Sequence, residues 1–190
     1  MNPLTHFKKI PISPLLIVLA LVAWAAGAGG AGISDFNGDG HPDYVLYNAN
    51  TRQTAIWYLN NNVYVGGVYG PTLPVGWSLV GIADFNRDGH PDYVLENGTG
   101  QTAVWYLSGR TLIGGAYGPT LPSGWLLAAT ADFNGDGNPD YVLYKATTGQ
   151  TAIWYLNNNV YVGSAWGPTL PAGWSLVADF CTPWDYGCCQ

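Results

Sequence analysis

The stretch DFNGDGHPD at residues 35–43 occurs three times in this chain of 190 residues, returning as DFNRDGHPD at 84–92 and as DFNGDGNPD at 132–140. Each copy has oxygen-bearing side chains at loop positions 1, 3, 5 and 9. Glycine stands at position 6, where a tight turn needs a backbone free of Cβ strain. This pattern predicts a loop that wraps around a hard cation.

Calcium is the expected cation, because it accepts about 6–8 oxygen ligands in flexible geometry, whereas zinc prefers His or Cys. Position 7 is histidine in two copies and asparagine in the third, so its backbone carbonyl is the expected donor. Nine of the twelve acidic residues lie in these loops. The sequence predicts about three calcium ions, one per loop. The residues predicted to form these sites are Asp35, Asn37, Asp39, His41, Asp43, Asp84, Asn86, Asp88, His90, Asp92, Asp132, Asn134, Asp136, Asn138 and Asp140.

A simple hairpin turn and an EF-hand are two other interpretations of the loop, and the sequence fits each of them less well. Asn-Gly and Asp-Gly pairs also form simple hairpin turns, but a hairpin does not require four oxygen donors at fixed offsets in three copies. An EF-hand needs a glutamate at position 12, and this chain has Leu46, Leu95 and Leu143 there. The cation loop remains the preferred interpretation.

The two ends of the chain differ from the repeats. Residues 1–28 combine a short basic start with an apolar run from Pro14, the pattern of a secretory signal peptide, with an uncleaved membrane anchor as the alternative. Removal of this leader would leave four basic and twelve acidic residues, a net charge of −8, which argues against nucleic acid as a partner. The tail at 181–190 holds all three cysteines, at positions 181, 188 and 189. We expect a secreted or cell-surface protein.

An internal duplication built the rest of the chain, since residues 53–80 and 150–177 are identical at 24 of 28 positions. Apolar and aromatic runs between Gly and Pro residues predict four short strands per unit of about 48 residues. For the second unit the predicted strands are Trp77–Phe85, Tyr93–Glu96, Gln101–Leu107 and Arg110–Tyr117. This predicts an all-β fold of three β-propeller-type blades over residues 29–180, plus the first strand of a fourth at Gly173–Phe180.

The loop and the strands that follow it resemble FG-GAP or VCBS-type repeats, the calcium-binding blades of integrin alpha-chain heads and of many secreted bacterial proteins and some lectins. The likeness covers residues 33–180. It implies that the loop joins the first two strands of a blade. It also implies that Asp35, Asn37, Asp39 and Asp43, with their equivalents, bind calcium.

Three classes of function follow from these features. We do not expect an enzyme, because almost every polar feature is triplicated. A module for adhesion or ligand binding is favoured, with carbohydrate as a candidate ligand and Trp77, Trp125 and Trp174 as candidate exposed aromatic residues. The alternative is a structural subunit that assembles with itself or with other repeat-containing chains, because three blades leave two uncovered end faces and propellers have about 4–8 blades.

Overall fold

A computed structural model describes residues 31–176, with no side-chain description for residues 31–33. The described chain contains twelve strands in three antiparallel sheets of four. Each sheet is one sequence repeat and is called a blade here, which confirms the all-β prediction. The leader, the cysteine tail and the second half of the predicted strand Gly173–Phe180 lie outside the described residues.

The strands of each blade follow one another along the chain and in the sheet. Blade 1 consists of β1 (Ala31–Ser34), β2 (Asp43–Asn48), β3 (Gln53–Asn60) and β4 (Val63–Thr72). Blade 2 consists of β5 (Trp77–Ala83), β6 (Asp92–Asn97), β7 (Gln101–Ser108) and β8 (Thr111–Thr120). Blade 3 consists of β9 (Leu126–Ala131), β10 (Asp140–Lys145), β11 (Gln150–Asn157) and β12 (Val160–Trp166).

Local sequence accounts for the tight hairpin in each blade. The third and fourth strands are joined by two-residue loops, and the first loop residue has positive φ at Asn61 (55°), Gly109 (57°) and Asn158 (56°). Asparagine and glycine tolerate this left-handed conformation better than other residues. Such a turn matches the right-handed twist of the paired strands.

The hydrophobic core lies between the blades. The acidic loop of each blade joins its first two strands, and the first strands of neighbouring blades contact one another, β1 with β5 and β5 with β9. The core between blades 1 and 2 is formed by Phe36, Val45, Tyr47, Ile56, Leu73, Leu79, Tyr93, Leu95, Ala103 and Leu107. The core between blades 2 and 3 is formed by Val80, Phe85, Val94, Val104, Leu121, Leu127, Tyr141, Leu143, Ala152 and Leu156.

Burial at these junctions raises the pKa of two tyrosines. Tyr93 and Tyr141 are fully buried. Burial raises the pKa of Tyr93 to about 12, because the ionised phenolate would lose its hydration. Burial also raises the pKa of Tyr141. Each blade therefore depends on its neighbour to cover one face.

The chain that follows β12 contacts blade 3 in the way that the chain following β4 contacts blade 1. The Tyr47 hydroxyl donates to the Trp77 carbonyl at 3.2 Å, and the Tyr144 hydroxyl donates to the Trp174 carbonyl at 3.5 Å. Residues 174–176 form no strand. Among the described residues, no helix is long and apolar enough to cross a membrane.

Candidate cation-binding loops and aromatic pockets

The three acidic loops share most of their internal hydrogen bonds. In the first, the Asp35 carboxylate accepts hydrogen bonds from the backbone N–H groups of Gly38 at 2.7 Å and Gly40 at 2.8 Å. Gly40 has a φ of 85°, which lets the chain turn back over the carboxylate. The equivalent bond from the position 6 glycine is 2.8 Å long in the second and third loops. The position 1 aspartate therefore organises each loop.

The side chains at positions 3 and 5 lie together above this turn. The Asn37 amide nitrogen donates to the Asp39 carboxylate at 3.0 Å, and the same contact is 2.9 Å long in both other loops. The other Asp39 oxygen accepts the backbone N–H of His41 at 2.9 Å. Positions 1, 3 and 5 thus bring oxygen atoms to one small region. The position 7 residue donates its backbone N–H to the position 5 carboxylate in all three copies.

Two of the loop carboxylates, Asp35 and Asp136, have a pKa below the ordinary value. Partial desolvation raises the pKa of Asp35, but the backbone N–H groups of Gly40 and Gly38 outweigh it and hold the pKa below its ordinary value. For Asp136, the backbone N–H of Asn138 is the largest cause of a lowered pKa. These negative groups are accessible to a cation from solvent.

The position 9 aspartates differ from the other loop acids because they are fully buried. One Asp43 oxygen accepts the backbone N–H of Phe36 at 2.9 Å, and the other accepts the backbone N–H of Leu59 at 3.0 Å. Asp92 and Asp140 make the same pair of bonds. Burial raises the pKa of Asp92 to about 6, against the lowering effect of its backbone partners, so it is ionised at neutral pH. This residue fastens the loop to the third strand.

The donor chemistry of the loops fits calcium. Each loop offers carboxylate oxygens, an asparagine amide oxygen and backbone carbonyls, and each carboxylate oxygen that accepts one N–H group keeps a further lone pair. Within residues 31–176, no three His, Cys, Asp or Glu side chains are grouped so that they could hold a metal ion by themselves. Bound calcium would supply the positive charge that these side chains lack.

Arg87 links the second loop to the third. It occupies loop position 4 with a φ of 61°, where Gly38 and Gly135 stand in the other copies. Its guanidinium donates to the backbone carbonyl of Asp136 at 2.6 Å and lies against Gly137. Arg87 is not among the residues that the loop pattern predicted. In the sequence, the feature that could have identified Arg87 is a cationic residue at a loop position that is glycine in the other two copies.

An aromatic pocket recurs on blades 2 and 3. In blade 2 a pocket of about 340 Å³ is lined by Trp77, Trp105 and Tyr117, together with Pro74 and Leu95. In blade 3 the equivalent pocket, of about 360 Å³, is lined by Trp125, Trp154 and Trp166 among others. Both are large enough for a small ligand.

The aromatic residues predicted as exposed lie in different environments. Trp77 packs on Tyr117 with ring centroids 6.2 Å apart, and Trp125 packs on Trp166 at 5.8 Å, so both predicted tryptophans are half-buried. Trp174 is exposed. Tyr69, Tyr117 and Trp166 are similarly exposed, at 75%, 71% and 74%. In the sequence, the feature that could have identified these three exposed rings is their shared position immediately before Gly-Pro.

Residues 31–176 thus form a three-blade β-repeat array with an acidic loop between the first two strands of each blade. The sequence profile of the FG-GAP-like repeat matches residues 35–95 and 84–143, which together make up more than half of the chain. The chain therefore belongs to the FG-GAP-like repeat family.

Two further comparisons complete this description. No curated protein matches the chain. A solved structure of a Tc holotoxin pore from Photorhabdus luminescens is similar, with a TM-score of 0.49 and 16% identity over 80% of this chain. The chain spans 7% of the length of that toxin chain.

Proposed function

We propose that this chain is a secreted calcium-binding repeat module that binds ligands at the cell surface. The observation that carries the proposal is the triplicated loop, in which the oxygen-bearing side chains at positions 1, 3 and 5 accept the same backbone hydrogen bonds in every copy. Carboxylates concentrated in this way are stabilised by a divalent cation. Extracellular calcium modules operate at dissociation constants of about 10⁻⁴–10⁻³ M, which agrees with the expected export of the chain.

Calorimetric titration with calcium tests the metal site. We expect about three ions per chain, and a melting temperature that falls in chelator because binding stabilises only the folded state. Asp88→Ala should remove one ion, because it lies at position 5 of the second loop. Asp179→Ala is the matched control, since Asp179 begins a degenerate fourth copy without the later donors. Equal melting temperatures in calcium and chelator would reject the calcium role.

Carbohydrate is the ligand class we propose for the module. The support is the repeated pocket, whose tryptophan and tyrosine rings offer flat apolar faces beside polar N–H and O–H groups. A sugar ring presents the same combination of apolar face and hydroxyl edge. Two equivalent pockets on one chain would also raise the avidity for a multivalent surface.

A glycan array followed by tryptophan fluorescence titration tests this class. Tyr117→Ala and Trp166→Ala should each weaken binding of any sugar that the array identifies, because each removes an exposed ring from one pocket. Val75→Ala is the control, since Val75 is exposed but lines neither pocket. An array without any bound glycan would reject carbohydrate as the ligand class.

A second candidate function is a structural subunit that assembles with copies of itself. The observation that favours it is the exposure of two aromatic residues, Tyr44 and Phe133, whose equivalents in the other blades are buried. Catalysis is not part of the proposal.

A further inference from the structure

Two positions of the repeat carry an aromatic residue that is buried where blades meet and exposed at one end of the three-blade array. The phenylalanine at loop position 2 is 4% exposed at Phe36 and 1% exposed at Phe85, but 52% exposed at Phe133. The first tyrosine of the second strand is fully buried at Tyr93 and Tyr141. Tyr44, its equivalent in blade 1, is 43% exposed.

The buried members of these two sets are partners across the blade junctions. Phe36 and Tyr93 form an edge-to-face pair, with ring centroids 6.2 Å apart and an interplanar angle of 64°. Phe85 and Tyr141 repeat the contact at 6.1 Å and 71°. Aromatic pairs prefer this geometry. Each junction therefore places the tyrosine of one blade against the phenylalanine of the blade before it.

A threonine and a glycine complete the site that receives the tyrosine. A Cβ atom on Gly70 would lie 2.5 Å from the Thr54 hydroxyl and 3.1 Å from the Tyr93 hydroxyl. The same atom on Gly118 would lie 2.5 Å from the Thr102 hydroxyl and 3.2 Å from the Tyr141 hydroxyl. Glycine is required because a Cβ atom would collide with the threonine hydroxyl, and the tyrosine hydroxyl narrows the same space further. We call each set of phenylalanine, threonine and glycine a tyrosine socket.

Blade 3 has the same socket without its tyrosine among the described residues. The Thr151 hydroxyl donates to the Pro168 carbonyl at 2.7 Å, as Thr54 donates to Pro71 at 2.7 Å. A Cβ atom on Gly167 would contact the Thr151 hydroxyl, but no tyrosine hydroxyl lies nearby. The open socket thus consists of Phe133, Thr151 and Gly167.

We propose that the open socket of one copy receives Tyr44 of a second copy. The chain forms this junction twice internally, so the two exposed halves are chemically and sterically complementary. Tyr44 pairs in register with Trp57, whose ring is also exposed. The second copy would cover this ring together with Tyr44. The equivalent rings of Trp105 and Trp154 are partly covered in the same way inside the chain. The contact joins two different surfaces, so it builds rings or open filaments. This inference does not depend on calcium or on the ligand of the aromatic pockets.

Light scattering of the full chain in calcium, over a range of concentrations, tests the junction. The wild-type chain should associate beyond a monomer. Tyr44→Ser and Phe133→Ser should each weaken association by about 30-fold or more, because central aromatic residues dominate interface energetics. Tyr161→Ser is the matched control, since Tyr161 is 44% exposed but belongs to neither half. Equal melting temperatures of the variants would establish that they are folded.

Mixing the two variants tests the pairing itself. The Tyr44→Ser chain keeps an intact socket and the Phe133→Ser chain keeps an intact tyrosine, so an equimolar mixture should form a dimer and stop there. A wild-type chain that stays monomeric at high concentration would overturn the proposal and indicate that residues 1–30 or 177–190 cover the ends. A mixture that remains monomeric, or variants that associate like the wild type, would also overturn it.

Discussion

At the residue scale, two glycines of the same strand, β4, have different roles. Gly70 lies where a Cβ would be 2.5 Å from the Thr54 hydroxyl, whereas a Cβ on Gly66 would meet nothing within 4 Å. Thr54 has little freedom to move, because it is buried and donates to the Pro71 carbonyl. The clash at Gly70 therefore arises within blade 1, and the Tyr93 hydroxyl of the neighbouring blade, 3.1 Å from the same Cβ position, narrows the space further.

We expect Gly70→Ala to lower the free energy of unfolding by about 1–3 kcal/mol, the usual cost of overpacking a tight site. Gly66→Ala is the control and should be neutral or slightly stabilising, because alanine restricts the unfolded chain. Urea denaturation at constant slope measures both. Equal midpoints for the two variants would show that the junction tolerates a Cβ at Gly70.

Arg87 supports a second prediction at this scale. Arg87→Gly relieves the left-handed backbone of an L-residue, worth about 1–2 kcal/mol, but loses the bond from Arg87 to the Asp136 carbonyl. We therefore expect little net change in global stability and faster amide exchange in residues 132–138. Hydrogen exchange of residues 35–41, which Arg87 does not contact, is the internal control. Unchanged exchange in the third loop would mean that Arg87 does not hold it.

At the element scale, the buried aspartate at loop position 9 connects three parts of each blade. Asp92 begins β6, binds the loop through the Phe85 N–H at 2.9 Å, and binds β7 through the Leu107 N–H at 2.9 Å. Both hydrogen bonds are buried. Removal of the carboxylate would leave two buried N–H groups without their acceptor, which is costly.

Asp92→Ala should therefore lower the free energy of unfolding by about 2–5 kcal/mol in chelator. Asp88→Ala should change it little under the same conditions, because Asp88 is exposed. In calcium, Asp88→Ala should lose the stabilisation that the metal adds. Chemical denaturation with and without calcium separates the anchoring role of Asp92 from the calcium-binding role proposed for Asp88. Equal effects of both variants in chelator would contradict the anchoring role of Asp92.

At the scale of the whole molecule, stability comes from the junctions between blades. The two main core clusters each combine residues of two neighbouring sheets. A single four-stranded sheet has two apolar faces and covers neither by itself. Repeat arrays of this kind depend on nearest-neighbour contacts.

A fragment of residues 31–76 should consequently be unfolded, because it contains blade 1 and no junction. A fragment of residues 31–124 contains blades 1 and 2 with one complete core, and it should unfold cooperatively. Circular dichroism with urea denaturation distinguishes the two outcomes. A cooperative transition in the single-blade fragment would show that each blade has a sufficient core of its own.

Sequence pattern alone identified the number of units, the loop positions and the strands. The predicted strand Gln101–Leu107 corresponds to Gln101–Ser108, and Trp77–Phe85 corresponds to Trp77–Ala83. These features depend on local physics, namely side-chain alternation, glycine at positive φ and turn residues between strands. Each of these sequence patterns occurs three times, and the repetition made every prediction stronger. The acidic residues of the candidate site were visible for the same reason.

Tertiary structure decided which identical residues are covered and which are not. Tyr44 and Tyr93 have the same local sequence, yet only Tyr93 is buried, because only blade 2 has a described blade in front of it. The contact of Trp77 with Tyr117 and the bond from Arg87 to Asp136 likewise join residues 40 and 49 positions apart. A local pattern reports the conformation of its own segment. Contacts between segments depend on how whole sheets pack, which no short stretch of sequence specifies.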